Sequence, residues 1–309
     1  MLSRQSSPSQ ARCSEVVPGR AVCAQADRSA GPDSSGSALL ARAVRFSINP
    51  FLPRQSRGYN SFASEPTGEG LAIFLELLVE LIGPVEPNTG FVVNVVDIDR
   101  EVRSIVVPIF TERIRADFQA GSSIALRDLA ELLRLAWNGL NGRFDTAKLS
   151  RLTLKLNPYR KLAIGCKEGR TMYFTEKFGF AATHKLWNTD FSERRNIELF
   201  GKCANPAGHG HNYVLEVTIE APKDKDIAIG EFERVVDAEL VQVVDHKNLN
   251  VDVPEFASVN PTVENIAVFA WKRLAGKFRD ATLRCVTVWE TDKTYCSYYG
   301  PGSPGRCDA

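Results

Sequence analysis

The chain holds four histidines, His184, His209, His211 and His246, and none earlier, so any imidazole chemistry belongs to its second half. His209 and His211 stand in Gly208-His209-Gly210-His211-Asn212-Tyr213, which runs into the alternating apolar positions Tyr213, Leu215, Val217 and Ile219. On a strand, residues i and i+2 share a face, so these two rings project together, with glycines leaving space beside them. The preceding candidate strand, Met172 to Leu186, alternates Phe178, Phe180, Ala182 and His184. An antiparallel neighbour in sequence would bring His184 to the other two. Three neutral imidazoles suit zinc and leave a fourth position open, as catalytic sites do. The spacing alone also fits two exposed histidines at a strand start and an unrelated third.

Cys203 precedes this motif in the Gly/Asn/Pro-containing stretch Phe200 to Pro206. A neighbouring cation, Lys202 or the metal, would lower its pKa and make it a usable base or nucleophile. An inert thiol, or a fourth ligand closing a structural metal site, fits the same position. Asp245-His246 follows the helix candidate Glu231 to Val244 and could form a proton relay. Glu290 ends the candidate strand Leu283 to Trp289, where a carboxylate can accept N–H groups from a heterocycle edge or simply face solvent.

Elements must position these groups, and the composition bounds them. At 309 residues the chain has room for about two domains. With 44% hydrophobic residues it can bury cores, and with 38 Lys+Arg against 37 Asp+Glu it lacks the basic field of a non-specific nucleic-acid binder. Leu71 to Val85, the most apolar stretch, carries Glu76 and Glu80 and is too short to span a membrane as a helix. Seven cysteines without a CxxC argue against a disulfide framework and for a reducing, cytoplasmic setting. Met1 to Leu40 is Ser-rich without periodicity and reads as a disordered tail, its presence in the mature protein open.

Beyond Leu40 the chain echoes itself. Leu126, Leu129, Leu133, Ala136, Trp137 and Leu140 form an amphipathic stripe before Gly142; Val263, Ile266, Ala267, Ala270, Trp271 and Leu274 form another before Gly276. Each is followed by a strand, a tight turn and a strand. Leu75 to Pro84 echoes Val214 to Pro222, with Val95-Val96-Asp97 and Val235-Val236-Asp237 following. Each half therefore reads strand, strand, helix, helix, strand, strand. That order predicts an α+β fold, an antiparallel sheet with helices on one face, and excludes a Rossmann alternation.

Phe180-Ala181-Ala182-Thr183-His184, Phe200-Gly201-Lys202-Cys203, Gly208 to Tyr213, Asp245-His246-Lys247-Asn248-Leu249-Asn250, Pro261-Thr262-Val263-Glu264-Asn265 and Val288-Trp289-Glu290-Thr291 occur in order. Together they resemble the 6-pyruvoyltetrahydropterin synthase family, which includes the 6-carboxytetrahydropterin synthases of deazaguanine (queuosine) biosynthesis. The resemblance covers about residues 170–300 and implies tandem tunnelling-fold units, each a four-stranded antiparallel sheet with two helices on one side. These build barrels in a homo-oligomer whose sites lie at subunit interfaces. It also implies Zn²⁺ on His184, His209 and His211, Cys203 as catalytic base, Asp245 and His246 as proton-transfer partners, and Glu290 anchoring a pterin, helped by Thr262 and Glu264. The implied reaction is loss of triphosphate from 7,8-dihydroneopterin triphosphate to give 6-pyruvoyltetrahydropterin, with no redox cofactor. Lys185, Arg194, Arg195, Lys202 and Lys247 are candidates for the phosphates. A carboxy-forming enzyme and a non-catalytic zinc or pterin scaffold are the competing expectations; nucleic acid and membrane are not expected partners.

The first half departs from this pattern. Pro50 stands where His184 would, and Leu156 opposite Glu290, so residues 41–166 read as a degenerate domain without a zinc site that pairs with the catalytic domain 170–300 and supplies part of its wall. Residues 301–309 read as a tail.

Overall fold

The computed structural model describes residues 36–51, 71–165, 171–222 and 224–302. One antiparallel sheet runs through the chain. Its first four strands are β1 (Ser37–Ile48), β2 (Ile73–Pro84), β3 (Lys148–Lys155) and β4 (Arg160–Gly165). β5 (Thr171–His184), β6 (His209–Pro222), β8 (Thr282–Trp289) and β9 (Tyr295–Tyr298) continue it, in the order β1-β2-β3-β4-β5-β6-β8-β9. A two-residue strand, β7 (Lys247–Asn248), lies off this path and pairs with β5 in parallel at Ala182 and Thr183, an addition to the expected all-antiparallel pattern.

Between β2 and β3 come α1 (Val95–Glu101), a π turn at Val102–Val106, α2 (Val107–Gln119) and α3 (Leu126–Leu140). The second half inserts α4 (Glu193–Phe200) between β5 and β6. It then runs through α5 (Ile229–Val236), a π turn at Asp237–Val241, α6 (Gln242–Val244), α7 (Leu249–Asp252) and α8 (Val263–Leu274). The stripes expected on α3 and α8 face the sheet: Leu133, Ala136, Leu140, Ile266, Ala270 and Leu274 are buried. Alternate strand residues meet them, among them Leu77, Val79, Leu152, Phe174, Val217 and Val286. Each large apolar side chain so buried contributes about 1.5–3 kcal/mol. None of the described helices is long and apolar enough to cross a membrane.

Hydrogen bonding repeats between the halves. The Asn141 N–H donates to the Trp137 carbonyl and the Ala275 N–H to the Trp271 carbonyl, both at 2.8 Å, closing α3 and α8. Leu156 donates to Arg160 (3.0 Å) and Glu290 to Thr294 (2.9 Å), closing the β3–β4 and β8–β9 hairpins. Asp145 and Asp280 both take positive φ. Ladder irregularities fall at Glu80/Leu81 and Thr218/Ile219. The Val-Val-Asp echo does not mark equivalent places: Val95 opens α1, whereas Val235 and Val236 close α5. The π turns stand in the corresponding positions, and the echo missed them because an apolar doublet recurs on any amphipathic helix.

The tail reading also shifts. β1 begins at Ser37, since Leu39 and Leu40 can join the ladder opposite Ile82 and Leu81. The rest of that segment, residues 1–35, lies outside the described residues, as do residues 303–309.

At the junction of the halves, β4 pairs with β5. The Arg160 guanidinium donates to Glu176 through Nε (3.0 Å) and Nη2 (2.9 Å) and also reaches Glu233 on α5. The Glu176 side chain is only 8% exposed, and burial pushes its carboxyl up from the ordinary range. Removing the guanidinium strands that carboxylate. Arg160→Leu should therefore lower stability by about 3 kcal/mol, read as a fall in urea midpoint at unchanged slope.

Candidate metal centre and active site

The β5–β6 ladder opposes His184 to His209 and Ala182 to His211. This register converges the three rings, whose donor atoms lie within 4.8 Å of one another. His184 is the anchor, 1% exposed. Its Nδ1–H donates to the Pro261 carbonyl at 2.7 Å; a carbonyl can only accept, so the Nε2 lone pair is left facing the cluster. His184 Nε2 lies 3.1 Å from His209 Nε2. Among the described residues, His211 Nε2 and His209 Nδ1 are buried without a hydrogen-bond partner. Nitrogens converging with a free lone pair fit a divalent cation of intermediate softness. The same arrangement would cost free energy in a plain hydrogen-bonded core.

Burial pushes all three imidazoles below the usual histidine value of 6.5. They are held neutral, as ligation requires. The folded state resists a proton that the unfolded chain accepts, so their contribution to stability is complete above pH 6.5 and lost as the pH falls through their depressed values. The metal-free protein should lose melting temperature on acidification below about pH 6.5. His184→Gln should flatten that dependence in thermal melts.

Gly208 is the close-approach position. Its φ is +71°, and a Cβ there would lie 2.9 Å from the His184 carbonyl oxygen. A side chain would push His209 away from His184.

Cys203 sits in a 3₁₀ turn, Gly201–Ala204, whose backbone is tied to β5 by the Leu186 N–H donating to the Cys203 carbonyl at 2.9 Å. Its Sγ lies 3.7 Å from His209 Nε2, beside the cluster and outside the group of mutually close donors. The expectation that Lys202 lowers its pKa is not met. Burial and the negative charge of Glu290 push the thiol up, and Lys202 instead lines a hollow of about 490 Å³ with His209 and Trp187.

Glu290 begins the β8–β9 turn and aims its carboxylate at the cluster. Its Oε1 is 3.6 Å from Nε2 of both His184 and His211. Asp245 and His246 are bolted to β5. Asp245 Oδ1 accepts from the Ala181 N–H (2.8 Å), Oδ2 pairs with His246 Nδ1 (2.8 Å), and the His246 N–H donates to the Ala181 carbonyl (2.6 Å). Those hydrogen bonds, the Ala181 one first, hold the Asp245 carboxyl below its ordinary range. His246 takes φ +56°, a left-handed conformation costly for a non-glycine residue. Its side chain is 83% exposed and lines, with His211 and Lys247, a second hollow of about 410 Å³. The structure thus gathers the three histidines, Cys203 and Glu290, and sets the Asp245–His246 pair at a different hollow from Lys202.

Of the other sequence candidates, Thr262 caps α8, its hydroxyl accepting from the Asn265 N–H, and Glu264 is an exposed residue of that helix's first turn. Lys185 lies over the Trp187 ring, Arg194 pairs with Glu198, and Arg195 lies over Phe191. Sequence reasoning gave no role to a clamp of asparagines. Asn250 brackets Lys185, accepting its N–H at 2.7 Å and donating to its carbonyl at 2.9 Å; Asn260 accepts from Trp187, and Asn265 donates to the Asn260 carbonyl. These fix the chain just after His184 and on both sides of Pro261. Asn250 and Asn265 stand inside the quoted motifs, which was the available signal.

In the first half, Ile48 pairs with Ile73 where Ala182 pairs with His211, and Pro50 follows β1. No donor set stands there among the described residues.

A family model described as 6-pyruvoyl tetrahydropterin synthase matches residues 173–301. The human 6-pyruvoyl tetrahydrobiopterin synthase is 38% identical over 130 residues, 41% of this chain and 90% of that protein. The chain belongs to this family. It is accordingly an enzyme of the pterin-synthase lyase type. The Drosophila melanogaster 6-pyruvoyl tetrahydrobiopterin synthase is 37% identical over 134 residues, 42% of this chain and 80% of the relative. A 6-carboxy-5,6,7,8-tetrahydropterin synthase of Aquifex aeolicus is 28% identical over 158 residues, 40% of this chain and 95% of the relative. The solved Caenorhabditis elegans 6-pyruvoyl tetrahydropterin synthase aligns with 42% of the chain and 96% of its own length at 31% identity and a TM-score of 0.40.

Proposed function

We propose that the chain is a zinc-dependent lyase that converts 7,8-dihydroneopterin triphosphate to 6-pyruvoyltetrahydropterin with loss of triphosphate. The observation that carries this reading is the three-imidazole cluster with a cysteine at its side and a carboxylate at its rim. Nearby Cys203 stands outside the group of mutually close donors, which favours a catalytic thiol over a fourth ligand. Zinc held by His184, His209 and His211 would supply Lewis-acid polarisation of the substrate's side-chain oxygens and the positive charge that a buried thiol needs to ionise.

The chain's own groups do the rest. Cys203 as thiolate takes a proton from the substrate side chain. Asp245 orients His246, which passes protons from the His211 side, while Cys203 works from the His209 side. Two proton carriers at different hollows suit a reaction that removes hydrogen at one carbon and returns it at the next. Glu290 accepts N–H donors of the pterin ring, with Thr262 and Glu264 at the adjoining helix start. Lys202 and Lys247, which line the two hollows, are best placed for the phosphates. Positioned acid–base groups of this kind contribute about 10²–10⁴-fold each.

The first half is proposed to be a degenerate copy of the same unit, kept for assembly. The carboxy-forming reaction is the second reading, supported by the Aquifex relative at lower identity than the pyruvoyl-forming ones. Incubation with 7,8-dihydroneopterin triphosphate and mass analysis decides between them. A product retaining its oxidised three-carbon side chain is expected; acetaldehyde release would replace this reading with the second, and no turnover by the zinc-loaded chain would leave a scaffold.

A further inference from the structure

We propose that Tyr213 is a positioning residue for Glu290. In the metal-loaded protein its hydroxyl donates to the Glu290 carboxylate, and so keeps that carboxylate off the open coordination position and free to receive the bound molecule. The proposal rests on the reading that His184, His209 and His211 hold the metal and that Glu290 anchors a pterin.

Tyr213 stands among the alternating apolar positions of β6, and its burial agrees, with 1% of the residue exposed. Its hydroxyl does not. Among the described residues, Tyr213 Oη is buried without a hydrogen-bond partner. A buried phenol ordinarily finds one, and leaving it unmade costs free energy that a phenylalanine in the same space would avoid. The ring has little freedom to leave. Phe180, its ladder partner on β5, stacks on it with centroids 4.8 Å apart and planes 12° apart. It also meets two imidazoles of the cluster, His211 at 5.5 Å and His184 edge-on at 6.3 Å between centroids. The unpartnered hydroxyl thus belongs to the foot of the cluster.

Glu290 is the neighbour that can complete it. Val214 on β6 pairs with Trp289 on β8, so the next step along both strands sets Tyr213 opposite Glu290. Side chains alternate between faces along a strand, and Glu290, two residues beyond the buried Val288, turns to the same face as Tyr213. Facing cross-strand side chains lie within reach of one another. Electrostatics agrees with the register: after burial, Glu290 is the group that most pushes the phenol up from its ordinary pKa, ahead of Cys203.

The metal gives this pair a purpose. Glu290 Oε1 stands 3.6 Å from Nε2 of both His184 and His211, beside nitrogens that ligation would engage. A carboxylate oxygen there is a ready fourth donor for zinc. As a ligand, Glu290 would close the position that a catalytic site keeps open, and its charge would no longer be available to ring N–H groups. Left to Coulomb attraction alone, the carboxylate would go to the cation. A donor fixed on the next strand holds it back, since hydrogen bonds to an ionised acceptor are among the stronger ones. One phenol therefore accounts for a hydroxyl without a partner and for a carboxylate that borders the cluster without joining it.

The test compares the unaltered chain, Tyr213→Phe, Glu290→Gln and the double variant, each loaded with cobalt(II) as a spectroscopic stand-in for zinc. Visible absorption reports the number and kind of ligands. The unaltered chain and Glu290→Gln should share one spectrum; Tyr213→Phe should differ from it, and adding Glu290→Gln should restore it. Zinc affinity should follow the same pattern, rising in Tyr213→Phe alone. In turnover, Tyr213→Phe should raise KM for 7,8-dihydroneopterin triphosphate by about 10- to 100-fold, the worth of a hydrogen bond to a charged group. If Tyr213→Phe fails to fold, zinc loading of the unaltered chain should still shift the near-ultraviolet tyrosine band, and Glu290→Gln should abolish that shift; a band unmoved by zinc, or moved equally in Glu290→Gln, overturns the proposal. So does a Tyr213→Phe variant whose spectrum and zinc affinity equal those of the unaltered chain, or a spectrum that Glu290→Gln alone changes, and these outcomes leave the lyase reading in place. The expected spectra from a chain that yields no product would instead remove the lyase reading and leave Tyr213 with its role.

Discussion

Replacing Cys203 by alanine should lower turnover by about 10²–10⁴-fold, the worth of a positioned acid–base group, while the bound metal stays. The two readouts follow from one geometry. The three histidine donors sit within 4.8 Å of one another without the thiol, so deleting Sγ removes none of the cluster. The thiol itself is held high by burial and by Glu290, and has no evident stabilising job in the metal-free fold beyond its contact with His209. Elemental analysis and steady-state rates on the same preparation check the pair of outcomes. Loss of metal in step with activity would mean that Cys203 closes the coordination shell, and the catalytic reading would give way to the scaffold. Cys203→Ser, which keeps a hydroxyl but not a group that ionises near neutrality, should behave like the alanine variant.

Much of this was legible in the sequence because it depends on period. Positions two apart on β6 set His209 beside His211, and an antiparallel neighbour set His184 against them; the stripes of α3 and α8 follow from the 3.6-residue repeat. The rest depends on contacts without a periodic signature. The partner that fixes His184 is the Pro261 carbonyl, and a backbone oxygen leaves no mark on residue type. The thiol's raised pKa comes first from burial and then from Glu290 in the distant β8–β9 turn, not from the adjacent Lys202 that sequence proximity favoured. The helix α4 lies in a stretch of polar residues whose local preferences suit loops as well as helices, and Asn250 and Asn260 reach Lys185 and Trp187 across 65 and 73 residues of chain. The separation of His246 from Lys202 into different hollows follows from β7 pairing with β5, a two-residue contact too short to read in advance.

His184→Ala should weaken metal binding by more than about 10²-fold, since loss even of an outer hydrogen-bond partner of a ligand costs about 10–100-fold. Of the three histidines it is the most deeply buried and the one whose free nitrogen is fixed by its other ring atom, so its removal takes away both a donor and the reference point for the other two. The change also strands the Pro261 carbonyl at the start of α8 and opens a cavity where an imidazole was packed, so stability should fall as well, by about 1–3 kcal/mol from the unpaired acceptor alone. Affinity and stability must therefore be read separately, by zinc titration calorimetry and by melting of the metal-free protein. His246→Ala supplies the contrast. Its ring is mostly exposed and hydrogen-bonded to Asp245, so zinc affinity should hold and only turnover should drop. Equal loss of zinc from both variants would show that the cluster of His184, His209 and His211 is not the metal site, and with it the proposed chemistry of Cys203 and Glu290 would have no centre to act around.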